Sequence, residues 1–172
     1  MKRLLSALTL VLAFGAFGAT ATENWKGKPP PGQWMLGGTL GPAIYGSDVR
    51  MSFLGSAAVL IKEQGLLDDV NDQLWFEGQA GMIFLPGSNP LRFNAHLRWD
   101  FHKDLDVTLF ATGGVGMILS GVGVDKLGIT RSYDFLINPR FGLGMFWHIF
   151  SPLSMRLELT HDYLGAGLAM TF

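Results

Sequence analysis

The sequence predicts an all-β fold: a closed, antiparallel, up-and-down barrel, eight strands in all, that crosses a membrane. Three observations predict it. Large apolar residues alternate with polar or small ones along most of the chain, most clearly where Leu91, Phe93, Ala95, Leu97, Trp99 and Phe101 interleave with Arg92, Asn94, His96, Arg98, Asp100 and His102. A 48% hydrophobic content, 23 glycines and a positive mean hydropathy are high for a soluble chain, yet beyond the first residues no run of 18 or more apolar residues occurs. The bulky set is also too large for the interior of a small barrel, whereas the alternate set is charged or small, with Gly37, Gly41, Gly81, Gly114, Gly116, Gly142, Gly144, Gly165 and Gly167 among it. The small face is therefore expected inside and the bulky face outside.

The elements follow in order. Lys2 and Arg3, an apolar run over 4–17 and Ala19-Thr20-Ala21 match the three regions of a secretory signal peptide, so 1–21 is expected to be removed. Residues 22–32, polar and rich in proline, read as an extended N-terminal leader. The barrel then occupies 33–172, with strands expected at 33–45, 49–62, 73–85, 90–102, 105–120, 134–150, 152–163 and 164–172. Turn signals lie at 46–48, 86–90, 103–106 and Ser151-Pro152. The segment 63–73 has the spacing of a short amphipathic helix, and 121–134 is the longest expected loop.

At membrane depth only closure satisfies every backbone N–H and C=O group. The closing stretch "LGAGLAMTF" sets Leu164, Ala166, Leu168, Met170 and Phe172 on one face, with Gly165, Gly167, Ala169 and Thr171 on the other. With that alternation and an aromatic last residue, the chain resembles the small outer-membrane β-barrels of Gram-negative bacteria, the OmpA, OmpX and OmpW type. The resemblance implies an outer-membrane location, the leader in the periplasm, a monomer, outer-membrane lipids and lipopolysaccharide as neighbours, and the five-residue terminal face as a signal read by the barrel-assembly machinery. It implies a non-enzymatic role in envelope structure, surface contact or passage of small hydrophobic molecules. Two alternatives remain: a lipid-modifying enzyme similar to lipid A deacylases, and a soluble periplasmic lipocalin-like binding barrel.

Inward parity collects Arg50, Glu77, Arg92, His96, Arg98, Asp100, Arg140, His148, Arg156 and Glu158, with Asp162 beside them. A paired network plugging the lumen is the expected arrangement, because buried charge needs partners. Outward parity near strand ends collects Trp34, Trp99, Phe101, Trp147 and Phe172, expected at the membrane interface. Trp75 falls inward without an evident reason. His161, expected outward beside Glu158 and Asp162, is the one candidate catalytic residue, but Tyr163 stands where a deacylase has its nucleophilic serine, and no catalytic residue is assigned. No metal site or cofactor is expected: His96 and His102 lie about 20 Å apart along a strand, and the chain has no cysteine. "GGVG" at 113–116 lies within a strand and lacks the helix a phosphate loop needs. Removing Lys2 and Arg3 leaves 11 of 13 basic residues against 14 acidic ones, a net charge of about −3, which disfavours nucleic acid.

Overall fold

Period-two alternation becomes eight antiparallel strands: β1 Trp34–Tyr45, β2 Asp48–Lys62, β3 Asp72–Ile83, β4 Leu91–His102, β5 Val107–Ser120, β6 Asp134–Phe150, β7 Leu153–Thr160 and β8 Leu164–Thr171. Each pairs with its neighbour in sequence, and β1 pairs with β8 to close the barrel. This computed structural model describes residues 32–67, 70–87, 89–104, 106–120 and 134–172. The expected signal peptide, all of the leader except Gly32, and the loop over 121–133 lie outside the described residues.

Seven strands lie within two residues of their expected bounds. β7 stops three residues early because the Thr160 N–H bonds the Tyr163 carbonyl at 2.8 Å and turns the chain at once into β8. The expected helix over 63–73 is not formed in its described residues. The Asp72 carboxylate takes the Leu66 and Leu67 N–H groups at 2.8 and 3.3 Å, and the Asp72 carbonyl takes that of Gly65 at 2.9 Å. Donors that a helix would direct to preceding carbonyls instead fold the segment back onto the start of β3.

The register fixes the barrel's proportions. Following Cα partners once round from Trp147, through Met155, Leu168, Gly38, Gly55, Ala80, Phe93 and Met117, returns to β6 at Ile137, ten residues along the same strand. Eight strands with a shear of ten tilt about 41° from the axis, so each residue rises about 2.5 Å. On that scale Trp34, Trp99, Phe101 and Trp147 fall within about 5 Å of one level, near the end that holds both chain termini. Trp147 and Ile137 are then about 25 Å apart in height, the thickness of the apolar band of an outer-membrane barrel.

The outer wall over this height is greasy. Phe141 is 64% exposed, Ile137 59%, Trp147 55% and Leu143 48%, while Arg98 is 0% and Glu158 1% exposed. An uninterrupted apolar belt of this kind is out of place in water, where patches beyond a few hundred Å² mark an interaction surface. The lipocalin-like alternative, which required these side chains to converge on a central core, is overturned.

Candidate functional site

The lumen is filled in layers. At the terminal end, five strands contribute one hydrogen-bonded chain. The Gln73 carbonyl can only accept, so His102 Nε2 donates to it at 3.2 Å; His102 Nδ1 then accepts from Thr108 Oγ1 at 2.9 Å. Thr108 in turn accepts from His148 Nε2 at 2.9 Å, and His148 Nδ1 accepts from Ser154 Oγ at 2.7 Å.

Above it lies an apolar layer the alternation did not reveal: Met35, Ala58, Trp75, Phe110, Phe146 and Ala169, none more than 4% exposed. Phe110 and Phe146 meet with ring centroids 4.9 Å apart. They fit because Gly144 leaves room, since a Cβ there would come within 2.1 Å of the Phe110 ring. Trp75 thus has a role: it is fully buried, with the Arg98 guanidinium 5.1 Å over its ring, and Arg98 and Arg156 both lie over Phe146, at 4.9 and 5.5 Å.

On these rings stands a ladder of charges of alternating sign. Asp100 accepts from Arg98 at 2.8 and 3.0 Å, and Arg98 also donates to Glu77. Arg156 bridges Glu77 at 2.6 Å and Glu158 at 2.8 Å. Arg140 bridges Glu158 at 2.7 Å and Asp162 at 3.2 Å, and Arg92 ends the series on Asp162 at 2.5 Å. Gln79 braces the middle, donating to Glu77 at 3.0 Å and Glu158 at 2.9 Å and accepting from Asn94 at 2.9 Å. Four guanidiniums face four carboxylates, so charge removed from water is neutralised within the lumen. Burial pushes the Asp162 carboxyl up, but Arg92 and Arg140, with a bond from Thr160, outweigh it and hold it below its ordinary value of 3.8.

Towards the other end, Tyr163 packs with Ala43 and Leu54 and donates to Thr39 Oγ1 at 2.9 Å. Gly165 again makes the space, its missing Cβ lying 2.4 Å from the Tyr163 ring.

Of the expected lumen residues, Glu77, Arg92, Arg98, Asp100, Arg140, Arg156 and Glu158 come together in the ladder, and His96 lies against it with Nε2 3.4 Å from Glu77. Arg50 does not join: its parity is inward, but it stands at the rim, 37% exposed, paired with Asp48 at 2.7 Å. His148 belongs to the terminal-end chain instead, because β6 carries it two turns of the pleat below Gly144. Among the outward aromatics, Trp34, Trp147 and Phe172 are exposed, whereas Trp99 is partly covered and donates to Asp72 at 2.6 Å while stacking on Phe101 at 4.5 Å. Leu164, Leu168, Met170 and Phe172 face outward and exposed. His161 is exposed at the β7–β8 tip. Glu158 points into the lumen, and Asp162 is engaged by Arg92 and Arg140, so neither orients the His161 ring. Among the described residues, no cluster of three or more His, Cys, Asp or Glu could hold a metal ion.

No protein-family model and no curated protein sequence matches the chain. Solved structures do. The N-terminal β-barrel domain of Pseudomonas aeruginosa OprF superposes with a TM-score of 0.60 at 10% identity, over 83% of this chain and 100% of that one. The chain has the fold of the small eight-stranded outer-membrane β-barrels. Ail, the attachment invasion locus protein of Yersinia pestis, matches with a TM-score of 0.57 at 10% identity over 80% of this chain and 97% of its own. Neisserial surface protein A matches with a TM-score of 0.54 at 10% identity over 84% and 100%. At such identities the likeness concerns the path of the backbone and leaves the lumen of this barrel to be read from its own residues.

Proposed function

We propose that this protein is a monomeric, integral outer-membrane barrel without catalytic activity, serving envelope structure and surface contact. The chain termini would face the periplasm, the four connections at the opposite end the exterior, and the terminal face of β8 the barrel-assembly machinery. The observation that carries this reading is the filled lumen: Trp75, Phe110 and Phe146 close it across its width, and the ladder above them leaves each carboxylate paired with a guanidinium. Passage of small hydrophobic molecules calls for a dry cavity reached from the exterior end. Among the described residues, the cavity at that end is about 10 Å³ and lined by Arg92, Asn94, Arg140, His161 and Asp162 together with Met117 and Ile118, and an apolar groove of about 360 Å³ lies on the outer wall beside Phe101, Leu109, Ala111 and Leu143. The lipid-modifying alternative lacks support for the same reason that His161 lacks an orienting acid.

Fractionation of the protein with the outer membrane, heat-modifiable gel mobility, and reconstitution into planar bilayers test the proposal together. The expected result is a membrane-bound, folded barrel that gives no stepwise conductance. Recovery in the soluble periplasm, or regular conductance steps from purified barrel, refutes it.

A further inference from the structure

Asp72 shows where the connection between β2 and β3 lies. It shares the outward face of β3 with Leu74 and Phe76, yet it is 0% exposed. The turn before it provides the cover, since the Leu66 and Leu67 N–H groups both reach Asp72 Oδ2, as does Trp99 Nε1 from the outward face of β4. Gly65 lets the chain pass this close, because a Cβ there would come within 2.3 Å of Oδ2. Val70 borders the groove on the outer wall together with Phe101, Leu109 and Leu143. The turn is therefore folded outward against the wall rather than across the mouth of the lumen. On the register scale Asp72 stands about 4 Å below Trp147 and Trp99 about 4 Å above it, so the turn lies at the edge of the apolar band, where headgroups begin.

A turn that leaves water at this level has to satisfy its own backbone, and this one does. The Gly65 N–H donates to the Asp72 carbonyl at 2.9 Å and the Val70 N–H to the Leu67 carbonyl at 3.4 Å. Lys62 Nζ donates to the Gly65 carbonyl at 2.6 Å, and Gln64 Nε2 to those of Leu67 and Val70 at 3.1 and 3.4 Å. The polar side chains are thus engaged within the turn, while Leu66 is left 59% and Leu67 43% exposed. Ile61, on the outward face of β2 where that strand enters the turn, is 53% exposed, so the apolar wall runs on into the turn. We propose that this turn is a foot set in the periplasm-facing leaflet, with Leu66 and Leu67 inserted among phospholipid acyl chains at the headgroup boundary. An element of this kind binds in proportion to the apolar area it buries there, and it holds the β2–β4 side of the barrel at a fixed depth. The inference rests on the membrane reading above.

The chain has no cysteine, so Leu66→Cys, Leu67→Cys and, at the exposed tip between β1 and β2, Ser47→Cys can each carry a single environment-sensitive fluorophore. The labelled barrels are placed one to a disc in phosphatidylcholine nanodiscs, which are open to water on both faces, and are quenched either by iodide in the buffer or by nitroxide-bearing phosphatidylcholine. Labels at 66 and 67 are expected to emit to the blue of the label at 47, to be quenched by the nitroxide lipid and to lose iodide quenching. Both leucines are exposed, so the fold, checked by heat-modifiable mobility, should survive either change, and one folded variant is enough to decide. Iodide quenching at 66 and 67 equal to that at 47 overturns the foot. Protection seen only in discs that hold two barrels also overturns it, because a second copy then covers the turn. A chain that does not enter nanodiscs overturns the membrane reading and the foot with it.

Discussion

Replacing Glu77 by Gln keeps the shape of the side chain and removes one charge from the middle of the ladder. Glu77 is fully buried and accepts from Arg98 and Arg156, so its loss leaves four guanidiniums facing three carboxylates in a space closed to water. Each arginine keeps one acidic partner, Asp100 for Arg98 and Glu158 for Arg156. The cost is that of breaking a buried pair and stranding its partner, about 3–5 kcal/mol, rather than the small net worth of an ion pair measured against an apolar substitute. With a urea slope of about 2 kcal/mol/M, the unfolding midpoint should fall by about 2 M. Tryptophan fluorescence during urea titration in lipid vesicles measures it, with gel mobility as a second probe. A second change, Arg156→Met, should recover part of the loss by restoring the balance of charge, so the double variant should be more stable than the sum of the singles implies. A midpoint for Glu77→Gln within about 0.3 M of the parent would refute the argument, because it would mean that the ladder is wet or unpaired.

Other expectations follow from the same geometry. Leu143→Arg, near the middle of the apolar band, should cost about 2–4 kcal/mol in bilayers, whereas Ile149→Arg, below the Trp147 level, should cost at most about 1; equal costs would argue against a bilayer at this height. Phe146→Ala should cost about 3–5 kcal/mol by opening a cavity under Arg98 and Arg156, and planar-bilayer recordings would show whether that layer is what seals the lumen. Asp162, outside the strands, is held below its ordinary value of 3.8, so its contribution to stability is complete above that pH and is lost as the pH falls further. Unfolding midpoints should therefore be level from pH 7 to about 5 and drop below about 4, and Asp162→Asn should flatten that drop. Asp72→Ala removes the acceptor of Trp99 Nε1 and of the Leu66 and Leu67 N–H groups, and should cost about 1–3 kcal/mol with a shift in tryptophan emission.

The order of residues by itself determined which side of each strand meets which medium. Alternation has a period of two, and a shift of one residue would expose every arginine of the ladder to lipid, so Leu91 to Phe101 could face only outward once Arg92 to Asp100 faced in. For the same reason the inward carboxylates and guanidiniums were legible as a set. Their partners were not: Arg50 and Arg92 share parity and type, and only the rim's height separates a solvent pair from a ladder end. Nor could spacing show that Trp75, Phe110 and Phe146 pack inside, because whether a ring fits there depends on Gly144, which the register brings alongside from another strand. The segment before Asp72 had the spacing of a helix, and one carboxylate folded it otherwise. The shear of ten, the single level of Trp34, Trp99 and Trp147 and the start of the β6–β7 pairing at Gly142 all belong to the register between strands, a property of hydrogen bonds between distant segments that local pattern does not carry.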